Sequence, residues 1–232
     1  MFLNYAAQFW GKHAREALPG TVKDFLLRFL GLKSNLWCLS TTLSYWSTEL
    51  PKRKAVSAVH LVADSELVEL LPYVFQSGFP ADSKDSSGRT PLSSAASKGH
   101  LAVVKLLLER NDVDVDSKDN CGCTALRYAA ESGYETVVKL LLERDVDINC
   151  KDNRGRTALI YAALEGHETV VKLLSERDDV NMDSKDKNGW TALIYAVRWG
   201  HETMVKLLLE WDDIDVNCLD AEGLTPIDLA EP

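Results

Sequence analysis

Five copies of one short phrase run through the C-terminal two-thirds of this 232-residue chain. They are Gly88-Arg89-Thr90-Pro91-Leu92, Gly122-Cys123-Thr124-Ala125-Leu126, Gly155-Arg156-Thr157-Ala158-Leu159, Gly189-Trp190-Thr191-Ala192-Leu193 and Gly223-Leu224-Thr225-Pro226-Ile227. Their glycines are separated by 34, 33, 34 and 34 residues. A fixed period of this size marks a stacked repeat, in which each unit buries its apolar face only against its neighbours.

The third copy shows what one unit specifies. Gly155 suits a positive φ in a hairpin tip, and Thr157 stands where a helix N-cap is wanted. In the first and fifth copies Pro91 and Pro226 follow at the first helical position, where a missing N–H is harmless. A short helix with closely packing alanines follows, Ala158 to Ala163, ended by Gly166 as a left-handed cap. A second helix, Glu168 to about Glu176, carries Val170, Val171, Leu173 and Leu174 at helical spacing.

Over roughly residues 81–230 this string resembles the ankyrin repeat: a hairpin tip, Gly-x-Thr-Pro-Leu opening one helix and Val-Val-Lys-Leu-Leu-Leu filling the next. The resemblance implies an all-α solenoid of helix pairs with β-hairpin-like tips. It also implies a non-catalytic protein-binding role for the concave face. Two departures stand out. The family's histidine after Thr-Pro-Leu is replaced by Ser93, Arg127, Ile160, Ile194 and Asp228, which removes the side chain expected to bond between repeats. The glycine after the second helix is replaced by Asn111, Asp145, Asp178 and Asp212, residues that tolerate the left-handed region.

A weaker copy lies upstream, where Val59-His60-Leu61-Val62-Ala63 aligns without a gap to Leu92-Ser93-Ser94-Ala95-Ala96. Pro72 falls inside its second helix and should break or shorten it. The expected organisation is a helical segment at 1–54, a degenerate capping repeat at 55–85, four repeats over 86–222 and a truncated half-repeat at 223–232 with one helix.

Residues 1–54 do not repeat. They hold 8 Lys/Arg against 3 Asp/Glu, leaving 18 against 32 for the rest, a net of −14. An acidic array disfavours nucleic acid and attracts a basic protein surface. The stretch from Phe2 to Ala14 reads as an aromatic-rich helix, and Val22, Phe25, Leu26, Phe29 and Leu30 form a broad apolar face on a second. Over about residues 2–35 this string is similar to the junction after the NTPase module of fungal NACHT-type receptors, though no phosphate-binding loop occurs in the chain. That resemblance implies either a regulatory subunit acting in trans with such a receptor or a truncated paralogue without a ligand. Phe9, Trp10, Phe25 and Phe29 need burial, so this segment is expected to pack on the capping unit or to self-associate. No stretch has the roughly 18 apolar residues of a membrane span, and no signal peptide is recognisable, so the expected location is cytoplasmic or nuclear.

Chemistry finds no foothold. Cys121 and Cys123 lack two further zinc ligands and fall at a hairpin tip; Cys150 and Cys218 read as packing residues. Asp112-x-Asp114-x-Asp116 imitates a calcium loop, but Ser117 and Cys123 stand where glycine and glutamate are required. His100, His167 and His201 each follow a glycine in a repeated turn, with no nucleophile to activate. No cofactor, metal or small-molecule substrate is therefore expected. Tyr128, Tyr161 and Tyr195 form a regular ladder that reads as packing. The candidate protein-binding residues, at the tips and first-helix ends, are Arg89, Lys98, Arg154, Arg156, Leu164, Trp190, Arg198 and Trp199. Trp190, Arg198 and Trp199 lead because tryptophan and arginine dominate binding hot spots.

Overall fold

The computed structural model describes residues 58–76, 78–211 and 214–230, so the expectations for residues 1–54 lie outside the described residues. All regular elements among the described residues are helical. The chain divides into two compact units, one ending at Pro91 and the other beginning at Leu92.

In the first unit, α1 (Ala58–Ser65) is followed by a 3-10 turn at Val68–Leu70 and by α2 (Leu71–Gln76). Pro72 sits in the first turn of α2, where no intrahelical N–H bond is lost. The outer helix of the unit is thus delayed rather than kinked, and the 3-10 turn takes up the slack. Val59, Ala63, Leu71 and Val74 are fully buried. His60, aligned with Ser93, is buried and its Nε2–H donates to the Arg89 carbonyl at 2.8 Å.

The second unit is a stack of helix pairs. Helix α3 (Pro91–Ala96) spans the boundary and leads to α4 (Leu101–Leu108). Then come α5 (Ala125–Glu131) with α6 (Glu135–Leu142), α7 (Ala158–Leu164) with α8 (Glu168–Ser175), and α9 (Ala192–Arg198) with α10 (Glu202–Leu208). Inner helices pack as α5 on α7 on α9, and outer helices as α4 on α6 on α8 on α10. The inner layer can be tight because Ala129, Ala130, Ala162, Ala163 and Ala196 are fully buried. Helices α5, α7 and α9 have threonine N-caps: Thr124, Thr157 and Thr191 accept from the N–H groups of Arg127, Ile160 and Ile194.

Two glycines show why the period is strict. Gly155 has φ +82°, and a Cβ there would lie 3.0 Å from the backbone nitrogen of Lys187 in the next tip. At Gly133, φ +71°, it would lie 2.6 Å from the His167 ring. The turn histidines add bonds from repeat to repeat: His167 Nε2–H donates to the Glu131 carbonyl (3.0 Å) and His201 Nε2–H to that of Leu164 (2.9 Å).

Two expectations are corrected. Asn111, Asp145 and Asp178 do not adopt the left-handed conformation; Glu66 is the one non-glycine residue with positive φ among the described residues. The caps Glu109, Glu143 and Glu176 stay right-handed, and the connector turns without a strained residue. Asp212 lies outside the described residues. The fifth copy forms no inner helix over its described residues: Pro226–Leu229 is a turn, with the Leu229 N–H on the Thr225 carbonyl and the Ala230 N–H on that of Ile227.

Candidate functional site

The hairpin tips stack by one backbone bond per step. The N–H of Asn153 donates to Cys121, that of Lys187 to Arg154 and that of Ala221 to Asn188, at 2.8–2.9 Å. Each tip is organised by one aspartate three residues before its glycine. Asp152 Oδ1 accepts from the N–H groups of Arg154 and Arg156, while its Oδ2 accepts from the Tyr161 hydroxyl at 2.8 Å. Asp119 does the same for Cys121, Cys123 and Tyr128, and Asp186 for Asn188, Trp190 and Tyr195. These aspartates explain the tyrosine ladder, whose rings are buried and whose hydroxyls pin each inner helix to its own tip. Burial first, and the bond to Asp186 second, push the Tyr195 hydroxyl well above the usual tyrosine range.

Guanidinium groups fill the gaps between tyrosines. Arg127 lies 3.9 Å over the Tyr161 ring and 4.8 Å over Tyr128, and it bonds Glu131 one turn later. Arg156 lies 5.0 Å over Tyr195 and 3.5 Å from the Asp186 carboxylate. In the fourth repeat Trp190 replaces the arginine. Its ring meets Tyr195 at 5.1 Å and Trp199 at 6.0 Å, both edge-on, and Trp199 lies 5.6 Å from Tyr195. The Trp190 Nε1–H donates to Asp220 at 3.2 Å, as the Arg156 Nε–H does to Asp186 one repeat earlier.

Of the residues singled out from sequence, Trp190 and Trp199 are brought together around a buried tyrosine that sequence reading assigned to packing alone. Trp199 is 51% exposed and Arg198 is exposed beside it in the chain. Arg154 and Lys98 are exposed, and Leu164 is half-buried. Arg156 is already engaged on Tyr195 and Asp186, and is a structural residue. Arg89 belongs to the first unit, where its N–H donates to Asp85 and its carbonyl accepts from His60. The Asp–Tyr pairing was findable: an aspartate recurs nine residues before each tyrosine.

Cys123 is not at an open tip: it is 4% exposed, and burial pushes its thiol up to about 11. Cys218 is buried against Thr191. No cluster of three metal-ligating side chains occurs among the described residues. Among them, too, no helix is long and apolar enough to cross a membrane.

The family model described as ankyrin repeats (3 copies) matches residues 57–152 and 144–220. The chain belongs to the ankyrin-repeat family. Ankyrin repeats are in general non-catalytic protein–protein interaction modules. Acyl-CoA-binding domain-containing protein 2 of Arabidopsis thaliana is 41% identical over 56 residues, covering 24% of this chain and 16% of that protein. Acyl-CoA-binding domain-containing protein 1 of the same plant is 39% identical over 56 residues, covering 24% and 17%. The chain thus matches less than a fifth of the length of these relatives. The NACHT-type resemblance of residues 2–35 lies outside the described residues.

Proposed function

We propose that this chain is a non-catalytic interaction module that holds a protein partner on the face formed by its hairpin tips and inner-helix ends, with Trp199, Arg198 and Trp190 as anchors. One observation carries the reading: an indole more than half exposed, held in place by two aromatic neighbours. A large apolar ring whose rotamer is fixed before binding loses little entropy on docking. Tip and inner-helix residues also lie in register from repeat to repeat, so a partner can span several of them.

The two tryptophans differ in what they do for the fold. Trp199→Ala should leave the melting temperature within about 2 °C of the parent, since exposed positions shift stability by roughly 0.5 kcal/mol. Trp190→Ala should lower it further, because the bond to Asp220 and the packing on Tyr195 are lost. Both should weaken an identified partner by about thirtyfold, roughly 2 kcal/mol. The measurement is affinity against the protein recovered on the intact chain, alongside a melt of each variant. Unchanged affinity in Trp199→Ala would remove this face from the reading.

A further inference from the structure

The patch around Trp199 carries cations that its own carboxylates leave free. Tyr195, beside Trp199, also meets the Trp190 ring at 5.1 Å and the Arg156 guanidinium at 5.0 Å, so two successive tips converge on one buried ring. Three more cations lie within one or two residues of this group. Arg198 precedes Trp199 in the chain. Lys187 follows Asp186, which accepts from the Tyr195 hydroxyl and the Trp190 N–H. Arg154 shares Asp152 Oδ1 with Arg156 through their N–H groups, and its carbonyl accepts from the N–H of Lys187. Backbone bonds therefore tie these positions of the third and fourth repeats together.

Arg154, Lys187 and Arg198 are exposed, and their side chains make no hydrogen bond or ion pair among the described residues. Arg110, Arg127, Arg156 and Arg177, by contrast, pair with Asp112, Glu131, Asp186 and Asp179. The carboxylates nearest the patch are committed elsewhere. Asp152 and Asp186 direct their oxygens onto N–H groups and a tyrosine hydroxyl of their own repeat, and the Asp186 side chain is 1% exposed. Asp220 holds the N–H groups of Glu222 and Leu224 and the Trp190 indole. Among the tips and inner-helix ends of these two repeats, Glu165 is the one exposed acid. Screening acts over about 8 Å at physiological salt, so a group docked on Trp199 is governed by these neighbours more than by distant acids of the array.

We propose that this face takes an acidic segment of a partner protein: an aromatic or large aliphatic side chain covers Trp199, and flanking carboxylates meet Arg198, Lys187 and Arg154. The inference rests on the reading of this face as the partner-binding one. It reverses the sign that the net charge of the whole array would select.

The test uses the full chain and a labelled 12-residue peptide with one Phe among Glu and Gly. One control replaces every Glu by Lys, and another replaces the Phe by Gly. Fluorescence anisotropy at about 0.15 M salt should show the acidic Phe peptide binding at least about tenfold more tightly than either control. Trp199→Ala should weaken that binding about thirtyfold. The triple variant Arg154→Glu, Lys187→Glu, Arg198→Glu should weaken it roughly tenfold and gain binding of the Lys peptide, a gain that loss of folding cannot produce. Preference of the parent chain for the Lys peptide, lost in Trp199→Ala, would overturn the acidic partner while sustaining the face. Acidic binding that survives Trp199→Ala would remove the face and this inference together. Equal binding of the Glu and Lys peptides, or binding of neither, would also overturn the proposal.

Discussion

The third and fifth repeat units begin with nearly the same words and end in different structures. Gly155-Arg156-Thr157-Ala158-Leu159 opens a helix of seven residues, whereas Gly223-Leu224-Thr225-Pro226-Ile227 opens only a turn. The fifth unit is not short of local signals. Its aspartate organises the tip as elsewhere, with Asp220 Oδ1 accepting from the N–H groups of Glu222 and Leu224. Asp228 accepts from both the N–H and the hydroxyl of Thr225. Helix nucleation is unfavourable, and a helix of six or seven residues cannot persist on its caps alone. In the third unit the missing free energy comes from packing, with Leu159 buried between neighbouring repeats; Ile227, at the matching position of the fifth, is exposed.

The largest effect that could break this comparison is in the core. Leu159→Ala should cost roughly 2–5 kcal/mol, the range for a fully buried leucine whose site cannot collapse. Ile227→Ala, at the matching position of the fifth unit, should change the melting temperature little. Equal losses by thermal or urea unfolding would mean that the fifth unit is packed as tightly as the third. Hydrogen exchange should agree, with residues 124–176 most protected and 222–230 least.

Next in size are the tip aspartates. Asp152→Ala leaves two backbone N–H groups and the Tyr161 hydroxyl without their acceptor, and should cost roughly 2 kcal/mol. Asp220→Ala removes the same two backbone bonds and the bond from Trp190, but water reaches them, so its loss should be much the smaller. The pair of urea midpoints decides the matter. A larger loss for Asp220 would show that the fourth tip depends on the fifth unit.

How far these features could be read from residues follows from the range over which their causes act. Period, threonine caps and turn glycines depend on neighbours within a few positions, and all were legible. The tyrosine ladder was legible as a pattern, but its aspartate partners were not recognised, although a fixed spacing of nine residues held the clue. Cys123 lies in its tip as the repeat phrase implies, but its burial depends on packing that the tip's own sequence does not show. The missing helix of the fifth unit was misread for the same reason: Thr225 and Pro226 signal a start, and only packing decides whether a helix follows.

The smallest effect separates two carboxylates by the sign of their pH dependence. Asp116, in an interior connector, is pushed above the usual range first by burial, with Asp147, Asp114 and Asp145 adding repulsion against the N–H bond from Asp147. A raised folded-state value means that ionisation opposes folding. Its contribution is fully present below the unfolded value near 3.9 and is lost as pH rises through the higher folded value. Asp116→Asn keeps an oxygen for the Asp147 N–H and drops the charge. At pH 7 it should therefore raise the melting temperature by about 1–2 °C, after allowance for solvent screening, and at pH 3 it should gain nothing. Asp228, in the fifth unit, is held below the usual range by the hydroxyl and N–H of Thr225. Its contribution is present above the unfolded value and lost as pH falls through the lowered folded one, so Asp228→Asn should gain nothing at any pH. Because the turn it caps is already the least supported part of the stack, the loss should appear as faster exchange at residues 225–230 and not as a lower melting temperature. A melting temperature that falls with Asp228→Asn would mean that the terminal turn unfolds together with the interior repeats.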